Sequence, residues 1–158
     1  MKLSFLGVSH WHSTMHAEAA LAAGATVSVA WDPDMMAAAA FADKFSCAAA
    51  SSLEDALKDA DFAVVMGRPF EIADRGLAVM QAGIPLLIEK PIGISAAASE
   101  PLIAAAERNK AFVAVALPHG LGMMKAVHSL AEAGRLGAIS HSHFRLINGP
   151  PQRYVNDG

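Results

Sequence analysis

Short, mostly apolar runs alternate with longer stretches of helical spacing along this chain, and the alternation predicts an architecture before any side-chain chemistry is considered. Leu3-Ser4-Phe5-Leu6 predicts a strand, followed by a helix from about Ser13 to Ala23 that Gly24 stops. Thr26 to Trp31 predicts the second strand. Asp32-Pro33 opens the next helix, with Asp32 as its N-cap and Pro33 at the first helical position. Ser51 and Glu54 have capping-box spacing and predict a short helix ending near Asp59. Phe62 to Met66 and Pro85 to Ile88 predict buried strands, separated by a helix from about Ile72 to Ala82 that Gly83 stops. A helix from Ser95 to Asn109 and a strand from Ala111 to Leu117 complete the series. Strands that alternate with helices form a parallel sheet covered on both faces, so the expected class is α/β, doubly wound.

The last segment has a different period. A helix from about Leu121 to Ala133 stops at Gly134, and Gly137 follows. From Ile139 to Ile147 the residues alternate, with His141, His143 and Arg145 on one face and Ser142, Phe144 and Leu146 on the other. That is the pattern of a half-exposed antiparallel strand. One such strand cannot hold a sheet by itself, so it is expected to be the first strand of a truncated second α/β domain. The expected division is 1–118 for the first domain and 119–158 for a connecting helix and the start of the second.

Composition narrows the setting. A chain of 158 residues is one ordinary domain with the beginning of another. A formal net charge of −3, with its twelve Lys and Arg residues scattered, gives no electrostatic case for nucleic acid. Cys47 is the single cysteine, which excludes an intrachain disulfide and favours a reducing compartment. The longest apolar run, Met35 to Ala42, is closed by Asp34 and Asp43 and is far too short to span a membrane. Lys2 leads into a strand-like run and then His10-Trp11-His12, which is no secretion signal. A cytoplasmic protein with no membrane partner is expected.

Candidate chemistry gathers where the predicted strands end, because ligands of parallel sheets bind outside the carboxyl ends of the strands. The first strand runs into Gly7-Val8-Ser9-His10-Trp11-His12, the position of the glycine-rich turn of a dinucleotide-binding Rossmann-type fold. Gly7 stands at the first glycine place, while Ser9 and His12 occupy the second and third. The match gains weight from the strand before it, the helix after it, and Asp32 at the end of the second strand, 25 positions after Gly7. A carboxylate there meets the adenosine ribose and repels a 2′-phosphate, so NAD is expected in preference to NADP. Met66-Gly67-Arg68-Pro69 ends another strand on the same edge. Gly67 would allow close backbone approach, and Arg68 either meets an anionic group or is a solvated loop residue. His12 and His16 share a helix face at a spacing that suits a metal, but no cysteine or carboxylate lies near them in sequence. No metal is therefore expected, and helix-start contacts to cofactor or substrate are the better reading.

The most informative stretch is Ile88-Glu89-Lys90-Pro91. It places a charged pair at the end of an apolar strand, and Pro91 biases Lys90 toward extended geometry.

Together these residues resemble the N-terminal part of the glucose–fructose oxidoreductase, inositol dehydrogenase and rhizopine-catabolism (Gfo/Idh/MocA) family. The resemblance runs through nearly the whole chain. It rests on Gly7, Asp32, Pro69, Ala82-Gly83, Glu89-Lys90-Pro91, and Gly134-Arg135-Leu136-Gly137 as the passage to a second domain. It implies an NAD(P)-binding Rossmann domain, a larger substrate domain on an open antiparallel sheet, and hydride transfer to or from a sugar, polyol or related hydroxyl compound. It also implies that Lys90 sits near the nicotinamide and hydrogen-bonds the reacting oxygen. A homo-oligomer is expected. Departures are Ser9 and His12 for glycines, Ala73 where many members have histidine, and His119 where many have arginine. The family's second-domain Asp and His would lie beyond Gly158. The other expectation is a non-catalytic dinucleotide-binding or sensing protein that retains the fold.

Overall fold

A computed structural model describes residues 1–117, 123–143 and 145. A first compact unit takes in Met1–Ala116, and a second begins at Leu117. The first unit contains strands β1 (Lys2–Leu6), β2 (Thr26–Trp31), β3 (Ala48–Ala49), β4 (Phe62–Val65), β5 (Leu86–Ile88) and β6 (Val113–Val115). Helices α1 (Ser13–Ala22), α2 (Met35–Phe45), α3 (Leu53–Leu57), α4 (Ile72–Gln81) and α5 (Ala96–Asn109) alternate with them. All pairings are parallel, in the order β3-β2-β1-β4-β5-β6. This is the doubly wound Rossmann order, and it reverses between β1 and β4.

Two-residue alternation builds the two layers of core. In β4, Ala63 and Val65 face one layer with Leu6, Ile72, Val79, Met80, Leu86, Ile88 and Leu102. Val64 and Met66 face the other, with Leu3, Phe5, Val8, Val27, Ala30 and Phe41. A strand buried on both faces reads as a continuous apolar run, which is why Phe62 to Met66 was legible. Gly76 lets α4 and α5 approach closely: a Cβ there would lie 2.9 Å from Ile88 Cδ1 and 3.0 Å from Leu102 Cδ1.

Two local expectations need correction. Helix α2 starts at Met35, and its N-cap is Asp34, whose carboxylate accepts the amides of Met36 and Ala37. Asp32 is not the cap, because its side chain turns inward to other amides. Helix α3 is capped by Ser52, which accepts the Asp55 amide, while Ser51 Oγ donates to the Asp55 carboxylate. Ser51 and Glu54 therefore do not form the expected box. The short edge strand β3 was not anticipated, since Ala48–Ala49 carries neither β-branched nor aromatic residues.

In the second unit, α6 spans Met123–Glu132, and residues 121 and 122 of the expected helix lie outside the described residues. Residues 139–143 and 145 carry no strand. The rest of the expected strand, at 144, 146 and 147, lies outside the described residues, as does His119. Among the described residues, no helix is long and apolar enough to cross a membrane.

Candidate functional site

Because the strand order reverses between β1 and β4, the connections that leave their carboxyl ends run in opposite directions, and the turn after β1 sits at that switch point. Gly7 has φ +81, and its amide donates to the Trp31 carbonyl at 2.8 Å. A side chain at this position would collide with the Met66 carbonyl, so only glycine permits β1 and β4 to exit together. The His10 amide then donates to the Gly7 carbonyl at 3.1 Å, and the Ser13 amide to the His10 carbonyl at 2.9 Å. Helix α1 follows. Its N-cap, His12, makes no side-chain capping bond. The first turn is thus uncapped by its own side chain, as at helix starts that receive an anion.

Asp32 is 3% exposed. Its Oδ2 accepts the Ser9 amide at 2.7 Å, and its Oδ1 accepts the Asp34 amide at 2.9 Å. The acid after β2 therefore holds the turn after β1 in place, a role that spacing alone did not disclose. Ser9 and Trp11 are exposed on the turn, while His10 and His12 are half-buried.

Glu89, at the end of β5, is buried. Its Oε1 lies 2.7 Å from His12 Nδ1 and 2.6 Å from His16 Nε2. Its Oε2 accepts the Lys90 amide at 2.9 Å. Burial pushes the Glu89 carboxyl up. The bonds from His16, His12 and the Lys90 amide outweigh burial and hold it at about 2. Burial also lowers the His10 imidazole, against the attraction of Glu89. Lys90 is half-buried, with Nζ 5.9 Å from the centre of the Trp11 ring, and the Lys90–Pro91 peptide is cis. The Trp11 ring in turn lies 3.7 Å, centre to centre, from His12. One network thus joins the turn after β1 to the Glu89-Lys90-Pro91 segment.

The loop after β4 behaves differently. Arg68 is exposed, and its carbonyl accepts the Glu71 and Ile72 amides that start α4. Pro69 is half-buried. Among the described residues, the buried cation is Arg75, at a position the sequence did not single out. Its Nη1 donates to the Met66 carbonyl and its Nη2 to Glu71 Oε2, both at 2.8 Å. Its guanidinium lies over Trp31, 5.3 Å from the ring centre. A Cβ at Gly67 would collide with this guanidinium. The signal was available: Arg75 falls on the apolar face of α4, three residues after Ile72 and four before Val79. The structure therefore brings Gly7, Ser9, His10, Trp11, His12, Glu89 and Lys90 together, with Asp32 bonded behind the turn.

Known proteins resemble this chain in the same region. A family profile described as "Oxidoreductase family, NAD-binding Rossmann fold" (Gfo/Idh/MocA) matches residues 1–117. Among solved structures, the UDP-N-acetylglucosamine 3-dehydrogenase GnnA from Acidithiobacillus ferrooxidans is 26% identical with a TM-score of 0.72. The match covers 85% of this chain and 43% of that one. The WlbA dehydrogenase from Bordetella pertussis, solved with NADH and UDP-GlcNAcA, is 23% identical with a TM-score of 0.77, covering 86% and 43%. An NAD binding oxidoreductase from Klebsiella pneumoniae is 17% identical with a TM-score of 0.79, covering 87% and 40%. At those two identities the likeness is one of fold. The chain spans less than half the length of each of these proteins. No curated protein matches.

Proposed function

The chain belongs to the Gfo/Idh/MocA oxidoreductase family, whose matched region is an NAD-binding Rossmann fold, and from that premise we propose that it is the nucleotide-binding portion of an NAD-dependent dehydrogenase. Its substrate is a sugar, polyol or related hydroxyl compound. The observation that carries this reading is the position of Lys90 at the carboxyl end of β5, its amide fixed by the Glu89 carboxylate and its ammonium beside Trp11 of the Gly7 turn. A cation held there is poised to donate to a substrate oxygen, which is the geometry that orients a hydroxyl for oxidation.

The residues fit a dinucleotide. Gly7 keeps the turn close to the sheet, and the uncapped start of α1 accepts a pyrophosphate. Ser9, His10, Trp11 and His12 line that approach, with Gly67, Arg68 and Pro69 along the β4 edge and Glu89 and Pro91 flanking Lys90. The buried Asp32 carboxylate behind Ser9 favours NAD over NADP, because its charge opposes a 2′-phosphate. NAD, when bound, supplies the two-electron acceptor. A second reading, a dinucleotide sensor without turnover, draws on His12: at the third glycine place, its side chain is committed to Glu89.

NADH formation separates the two. The protein in its full reading frame should be assayed on sugars, polyols and nucleotide sugars, the last included because of the dehydrogenase at 26% identity. Turnover that falls by at least about a hundredfold in Lys90→Ala, with NAD affinity nearly unchanged, supports the dehydrogenase. Turnover unaffected by Lys90→Ala removes Lys90 from the reaction, and binding without turnover on any substrate favours the sensor.

A further inference from the structure

We propose that His12, His16 and Glu89 form a binding site for a divalent transition-metal ion, zinc foremost. The site rests on these three side chains and not on the oxidoreductase reading. Among the described residues, this is where three ligand atoms of His, Cys, Asp or Glu converge, all within 4.8 Å of one another. Two of the ligands come from the start of α1 and the third from the end of β5, 73 residues further along the chain than His16.

The donor set is two imidazole nitrogens and one carboxylate oxygen. That chemistry suits zinc and its first-row neighbours, and not calcium or magnesium, which take oxygen ligands. The spacing is close to what an ion needs. His12 Nδ1 and His16 Nε2 stand 2.7 and 2.6 Å from Glu89 Oε1. Ion–ligand bonds of about 2.0–2.2 Å set neighbouring ligand atoms roughly 3 Å apart. The three ligand atoms lie within 4.8 Å of one another, so an ion between them requires sub-ångström to ångström adjustments of side-chain position. The backbone is itself fixed, since the His16 amide donates to the His12 carbonyl at 3.0 Å.

The surroundings are those of a built site. Glu89 Oε2 accepts the Lys90 amide, an outer bond that orients the ligating carboxylate. Among the described residues, the ion-pair partners of Glu89 are the two histidines and no lysine or arginine. The carboxylate side chain is 3% exposed, whereas the imidazoles are 15% and 13% exposed. An ion therefore enters from the histidine side. With three protein ligands it keeps an open coordination position toward solvent, unlike a closed four-ligand structural site.

The test is calorimetric titration of the chelator-treated chain with Zn²⁺, together with the visible absorption of Co²⁺ as a probe of coordination. One ion per chain is expected. Affinity should fall by about a hundredfold or more in His16→Ala and in Glu89→Gln, beyond the loss seen on removing an outer-sphere partner. His128→Ala, at an exposed position of α6, should bind as wild type does. Circular dichroism checks that each variant is folded; if Glu89→Gln is not, the partly exposed His16→Ala carries the comparison. Absence of stoichiometric binding to the wild-type chain, or equal binding by His16→Ala, overturns the proposal and leaves the triad as a hydrogen-bonded clamp.

Discussion

The carboxylate of Asp32 accepts the backbone amide of Ser9 at 2.7 Å, so the acid that ends β2 also braces the turn that follows β1. Removing it should therefore act on two properties at once. Asp32→Ala is expected to lower stability by about 2 kcal/mol, because two backbone amides lose the buried, charged acceptor that holds them. It should also narrow the preference for NAD over NADP. Urea denaturation measures the first and paired cofactor titrations the second. Unchanged stability would contradict the bracing role, and equal or tighter NADP binding by the wild-type chain would contradict the charge argument.

Arg75 couples the end of β4 to α4 through the Met66 carbonyl, Glu71 and the face of Trp31. Arg75→Ala should cost about 3 kcal/mol, since it strands a buried carbonyl and removes a buried packing surface. Arg75→Lys should restore little, because one ammonium cannot reproduce the fork that reaches both Met66 and Glu71. Equilibrium unfolding of the two variants checks this, and a fully stable lysine variant would contradict it.

Much of the fold was legible because burial and turn chemistry agreed locally. Thr26–Trp31 was read to the residue, since an apolar strand lies between Gly24 and an acid. The start of α2 was misread because Asp32 and Asp34 both resemble caps. Which of them turns inward is decided by the Ser9 amide, 23 residues away. Of the candidate site, the sequence placed Gly7 in the turn after β1 and Lys90 just after β5, which is where the structure has them. The joining of His12 and His16 to Glu89 was not legible, because helix spacing reports neighbours on one element and says nothing of a carboxylate brought in by the sheet.

Ser4 Oγ is buried in β1 with no hydrogen-bond partner among the described residues. Ser4 is itself fully buried, so water has no ready access. Ser4→Ala removes an unpaired hydroxyl at little cost in volume and should raise stability by about 1 kcal/mol. A thermal or urea midpoint lower than wild type would contradict this.

Gly7→Ala should be among the most damaging single substitutions. It forces a non-glycine residue to φ +81 and drives its Cβ against the Met66 carbonyl, a backbone atom that cannot swing aside. A loss above about 3 kcal/mol, or an insoluble protein, is expected. Near-normal stability would mean that β1 and β4 part more widely than described.

The central claim is that the turn after β1 and the Glu89-Lys90-Pro91 segment together receive NAD. The most direct measurement is an amide-resolved NMR titration of the 158-residue chain with NAD. Saturable shifts centred on Gly7 to Met15 are expected, with Gly67, Arg68, Glu89 and Lys90 following the same isotherm. Lys90→Ala should bind with nearly the same affinity, since that side chain is assigned to the substrate. Absence of saturable shifts, or shifts centred away from the β1 turn, would contradict the account.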